Sequence, residues 1–136
     1  MSGDTIATAQ ELHKLEFGTH LIVVYHDLVT FREMYSHYAK AALIDNEIVV
    51  ILPFYETVDS VRRILSEDSA NIDVRKFKKE QSLLIIDSLK SYFGSQDGLI
   101  PFVNSIVQFA KDSGRNGVSV IGDMVHFFTL GKMGPC

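Results

Sequence analysis

The sequence predicts an α/β domain: a doubly wound, mainly parallel five-stranded sheet flanked by helices. Three observations carry that expectation. Five short segments read as strands, His20–Tyr25, Glu47–Leu52, Asp73–Phe77, Ser82–Asp87 and Gly117–Ile121. The strongest of them are nearly continuous in Val, Ile and Leu rather than alternating, as in a sheet covered on both faces. Segments with helical spacing separate them, and strand–helix alternation favours parallel pairing.

In chain order, residues 1–16 read as an N-terminal helical segment, with Thr5–Leu15 as its helix, and residues 17–136 as a single domain. From Leu28 to Ile44, apolar Phe31, Met34, Tyr35, Tyr38, Ala41 and Ala42 recur at steps of three and four, which makes one helical face. Thr57 is placed to cap a helix with Val58, Val61, Ile64 and Leu65 inward and Asp59 in its first turn. Pro101 suits a first helical turn, and Phe102, Val103, Ile106, Val107 and Ala110 follow before Gly114 as a stop. After the last expected strand the chain reads Gly122-Asp123-Met124-Val125-His126-Phe127-Phe128 and ends shortly afterwards, with no further strand expected. Such an apolar end needs cover, which predicts a shortened domain or one completed by a second copy, most simply a two-fold homodimer.

Composition bounds the function classes. The 136 residues are 46% hydrophobic and 22% charged, with net charge −4, so nonspecific binding to polyanions is disfavoured. The one cysteine, Cys136, leaves no internal disulfide and fits a reducing cytoplasm. The opening MSGDTIATAQELHKLEF lacks the apolar core of a secretory signal. The longest apolar run, Ile48 to Tyr55, is too short to span a bilayer. A cytoplasmic, membrane-free domain is the expectation.

Function classes narrow further at the first strand–helix junction. Tyr25-His26-Asp27-Leu28-Val29-Thr30 stands where a nucleotide-binding fold of this layout carries its glycine-rich loop. A phosphate cradle needs close backbone approach and free N–H groups at a helix start, which Tyr25 and His26 obstruct. No Lys-Ser/Thr pair follows, and no Gly-x-Ser-x-Gly elbow occurs anywhere in the chain.

Ligands of open parallel sheets sit beyond the carboxyl ends of the strands. Those ends carry Tyr25, His26, Asp27, then Tyr55 and Glu56, then Asp87, then Asp123, so carboxylates and aromatics line one rim. Two readings of the acids stand side by side: helix caps and solvated strand ends, or oxygen ligands for Mg²⁺. The five histidines form no His-x-x-x-His pair and none lies beside the cysteine, so no zinc site is expected. His20 falls at the opposite end of its strand from the rim. The basic residues Arg62, Arg63, Arg75, Lys76, Lys78 and Lys79 read as a solvated sheet edge rather than a nucleic-acid surface.

The order His20-(x)4-Tyr25, helix, Asn46-Glu47-Ile48-Val49-Val50, then Leu83-Leu84-Ile85-Ile86-Asp87 and Gly117-Val118-Ser119-Val120-Ile121-Gly122-Asp123-Met124 resembles the MEDS (methanogen/methylotroph DcmR sensory) domain family over about residues 17–126. The resemblance implies a degenerate RecA/KaiC-like sheet without the phosphate-binding loop. It also implies a sensory role in signalling or transcription control, with small organic compounds as ligands. His20 and Tyr25 match the family's strand motif, and Gly122-Asp123-Met124 is similar to its Gly-Glu-Met turn with a shorter acid. Asp87 takes the place of the metal-supporting strand acid of active relatives of the fold. Ile22 stands where family members often carry a polar residue or cysteine, so thiol-dependent sensing does not carry over.

The leading expectation is a non-catalytic sensory or regulatory domain, without cofactor, that binds a small organic molecule at Tyr25, His26, Asp27, Tyr55, Glu56, Asp87 and Asp123. Its output then runs through self-association or a partner protein. One alternative is a Mg²⁺-dependent nucleotide-binding or hydrolytic protein that uses Asp27, Glu56, Asp87 and Asp123. A second is a dimerising interaction module that presents Met124, Phe127 and Phe128.

Overall fold

The computed structural model describes residues 8–9, 11–12, 14, 20–24, 27–53, 56–67, 70–86, 99–123 and 127–133. The elements run β1 (His20–Val24), α1 (Leu28–Ile44), β2 (Glu47–Leu52), α2 (Val58–Glu67), α3 (Val74–Lys79), β3 (Leu83–Ile85), α4 (Leu99–Asp112), β4 (Gly117–Asp123) and β5 (Phe127–Met133). Among the described residues, no helix is long and apolar enough to cross a membrane.

The strands lie in one sheet in the order β1-β5-β4-β2-β3. β2 pairs in parallel with both β3 and β4, with Val50 opposite Leu84 and Val120. β5 runs antiparallel to β4 and to β1. The fold is therefore mixed α/β, and the expectation of a mainly parallel sheet is corrected: the two pairings of β5 are both antiparallel. The expected absence of a strand after residue 121 is corrected with it. Phe127–Met133 folds back on β4 and separates it from β1, so Phe127 and Phe128 sit in an interior strand, opposite Val24 and Val23.

A second correction concerns Asp73–Phe77, expected as a strand and found as the start of α3. Asp73 accepts a hydrogen bond from the Lys76 N–H at 3.1 Å, an N-terminal cap. Val74 and Phe77, three apart, both pack on the core, so helical spacing outweighs the β-branched Val74. The helix ends with the Gln81 N–H donating to the Lys78 carbonyl and the Ser82 N–H to that of Phe77, with Gln81 at φ 60°. That is a Schellman close. α4 ends the same way, with Gly114 at φ 73° and the Arg115 N–H reaching the Ala110 carbonyl. Arg115 ties the two turns together by donating to the Ser82 hydroxyl and the Glu80 carbonyl.

Both sheet faces are covered, which explains the unbroken apolar run of β2. Val49 and Ile51 join a cluster with Phe31, Tyr35, Tyr38 and Ala42 of α1, Val61 and Leu65 of α2, and Ala9. Ile48, Val50 and Leu52 face the other way, against Ile106 and Ala110 of α4 and beside Val118. Every residue of β2 is buried, and each aliphatic side chain so buried contributes about 1.5–3 kcal/mol.

Candidate functional site

The face of the sheet under α1 carries two polar clusters, one near each end of the strands. α1 starts at the carboxyl edge. Asp27 caps it, with one carboxylate oxygen accepting from the Thr30 N–H at 2.7 Å and the other from the Thr30 hydroxyl at 3.0 Å. With a cap of this strength the helix follows directly from β1.

One turn further on, α1 points Arg32 and Tyr35 at Glu56, which lies in the connection between β2 and α2. The Arg32 Nε is 2.5 Å from the Glu56 Oε1, and the Tyr35 hydroxyl donates to Oε2 at 2.9 Å. The Glu56 side chain is only 5% exposed, so the carboxylate is out of water and depends on its partners. Tyr35 is itself buried and meets Phe31 edge-on, ring centroids 5.0 Å apart. Beneath Glu56 lies a narrow void of about 10 Å³, lined by Phe31, Tyr35, Ile51, Pro53, Val61 and Ile121. That is room for one water at most.

The second cluster lies toward the amino ends of β2 and β4. Glu47 is fully buried. Ser119 donates to its Oε1 at 2.7 Å, the Tyr38 hydroxyl donates to Ser119 at 3.2 Å, and the Lys132 Nζ of β5 stands 3.9 Å from its Oε2. Cross-strand register places this set, because Ser119 lies opposite both Val49 and Lys132. Tyr35 and Tyr38, three apart on one helix face, thus donate into separate networks.

Burial holds the Tyr38 phenol well above its ordinary value of 10.0; the Ser119 hydrogen bond opposes the shift and the nearby Glu47 carboxylate adds to it. A group whose folded pKa is raised contributes stability that is complete below its unfolded value and lost as pH rises past it. Stability is therefore expected to fall above pH 10.0, and Tyr38→Phe to show a shallower fall than wild type in urea titrations run at several alkaline pH values. Equal slopes for the two proteins would show that the phenol does not drive this loss.

The expected site residues divide into three groups. Asp27 and Glu56 lie at the carboxyl edge, one as an exposed cap and the other as a buried, paired carboxylate. Asp123 ends β4 opposite Phe128, and Gly122 lies between Leu52 and Thr129, so the backbone brings both to that edge. His20 opens β1 opposite Gly131, at the far edge. Tyr25, His26, Tyr55, Asp87 and Met124 fall outside the described residues. Among the described residues, no group of three or more His, Cys, Asp or Glu is placed to hold a metal ion.

Sequence reading missed Arg32 as a partner of Glu56. Its one signal was position: Arg32 follows Phe31 and precedes Tyr35 by three, on the flank of the inward stripe. Glu47 carried a clearer signal, an acid at the head of a strand expected to be buried on both faces.

The arrangement of β1, its capped helix and the strands beside it falls within the span of a known family pattern. The pattern described as MEDS, MEthanogen/methylotroph, DcmR Sensory domain, matches residues 19–132. The chain belongs to the MEDS family. That match takes in all five strands of this MEDS domain, β5 almost to its end, and it places the molecule in a family of sensory domains. No curated protein and no solved structure matches the chain.

Proposed function

We propose that this MEDS domain is a non-catalytic sensory or regulatory unit of the cytoplasm that binds a small organic molecule at the carboxyl ends of β1, β2, β3 and β4. The observation that carries the reading is the buried Glu56 carboxylate, held by Arg32 and Tyr35 over an apolar wall. The void beneath it is too small for a ligand, so entry parts Glu56 from its partners. A ligand with an apolar body then covers Phe31, Pro53 and Val61, and a polar group on it takes up the hydrogen bonds that Glu56 gives up. Binding and displacement of the β2–α2 connection are thereby one event, which is what a sensor requires. The other rim residues, Tyr25, His26, Asp27, Tyr55, Asp87 and Asp123, belong to this proposed site, and signal output passes to a second copy or a partner protein.

Native mass spectrometry of freshly purified protein beside its denatured mass tests the reading. The expected result is excess mass that vanishes on denaturation, has the value of a small organic compound, and is lost in Tyr35→Phe/Glu56→Gln. Retained mass unaffected by that double substitution would place the ligand elsewhere. Mg²⁺-dependent hydrolysis of a nucleotide, abolished by Asp87→Asn, would replace the sensory reading with an enzymatic one.

A further inference from the structure

The basic residues expected on a sheet edge are found on helices instead. Arg62 and Arg63 lie on α2, and Arg75, Lys76, Lys78 and Lys79 on α3. Between residues 59 and 79 there are six Lys and Arg against four Asp and Glu, in a chain of net charge −4. The sign of the charge thus reverses locally.

Arg62, Arg63, Asn71 and Arg75 line an open groove of about 730 Å³ between α2 and the turn that leads into α3. Two acids share its wall, each with one described partner. Asp59 pairs with Arg62 at 3.1 Å, and Asp73 caps α3 by accepting from the Lys76 N–H. Among the described residues, Arg63 and Arg75 have no ion-pair or hydrogen-bond partner, and both are exposed. The Asn71 backbone is held in a left-handed turn at φ 49°, closed by the Ile72 N–H donating to the Leu65 carbonyl. That fixed turn holds the amide-bearing residue on the groove wall. The groove shares no lining residue with the void under Glu56. The two lie on different faces of α2, because Val61 is buried while Arg63 is exposed.

We propose that this groove is a second binding site, for a soluble phosphate-bearing small molecule. Two guanidinium forks and the Asn71 amide group supply hydrogen-bond donors on a wall that also carries the Asp59 and Asp73 carboxylates. Planar forks bind phosphate oxygens two at a time, which an ammonium does not do. Arg62 is paired with Asp59 and adds no net charge. The volume is that of a ligand larger than a bare ion. The proposal does not depend on the reading of the rim site.

Calorimetric titration of the full chain with inorganic tripolyphosphate tests it, at low and at physiological ionic strength. One saturable site is expected, weakened about tenfold by Arg63→Ala and by Arg75→Ala, the loss that follows from removing one charged hydrogen-bonding group. Lys111→Ala, an exposed cation on α4, is expected to bind as wild type does. Arg63→Gln and Arg75→Gln repeat the test with chain length largely kept, and circular dichroism is expected to show every variant folded. Absence of a saturable site, or equal weakening by Lys111→Ala, would overturn the proposal. So would tighter binding of citrate than of tripolyphosphate, or affinity for single-stranded DNA that grows with its length.

Discussion

Lys132→Met is expected to destabilise the protein by about 3–5 kcal/mol, because it takes a positive charge from beside a fully buried carboxylate. Glu47 retains the Ser119 hydroxyl at 2.7 Å, but a neutral donor does not replace an ammonium beside a fully buried carboxylate. Replacing both partners, as in Glu47→Leu/Lys132→Met, is expected to recover most of that loss. The pair costs desolvation as well as supplying attraction, and well-packed apolar groups avoid both. Urea titration of the two variants separates the effects, with an unchanged denaturant slope required for the comparison. If Lys132→Met proved as stable as wild type, the ammonium would have no part in holding Glu47 in the core.

Tyr35→Ala is expected to cost a similar amount, about 3–5 kcal/mol, for a different reason. The ring is 1% exposed and packs edge-on against Phe31, so its removal leaves a cavity at the junction of α1 and the sheet. Tyr35→Phe keeps the ring and removes only the hydroxyl that serves Glu56. Its cost is expected to be about 1–3 kcal/mol, that of one hydrogen bond lost to a buried charged group. Thermal and urea unfolding give both numbers. Equal losses for the two variants would mean that the latch on Glu56, rather than the packing of the ring, accounts for the role of Tyr35.

The sequence was legible where one period dominated. α1 carries an inward stripe from Phe31 to Ala42 and an Asp cap, and it forms over Leu28–Ile44 as expected. β2 reads as a buried strand because six consecutive positions avoid water. Asp73–Phe77 misled because Val74 and Phe77 satisfy helical spacing in a segment too short to exclude a strand, and the decisive contact is the Asp73 cap. β5 was missed for a tertiary reason. Gly131 and Lys132 look unlike core-strand residues, yet Lys132 finds Glu47, a partner remote in sequence and invisible to local pattern. The common edge of Asp27, Glu56 and Asp123 was legible as a set of strand ends, since topology alone collects them. That Glu56 would be buried against Arg32 and Tyr35 was not, because pairing across two connections depends on how α1 lies over the sheet.

The insertion of β5 between β1 and β4 also sets the order in which the chain can assemble. Among the described residues β1 pairs only with β5, with residue 20 opposite residue 131. During synthesis β1 therefore waits for its described sheet partner until residues 127–133 have followed it. β2, β3 and β4 are joined by nearer contacts and can pair before β5 is available. Pairing of β1 with β5 then closes a loop that spans residues 24 to 127, at an entropic cost that grows with its length. Until that moment the apolar strand that leads into the capped helix of the candidate site remains exposed to other chains.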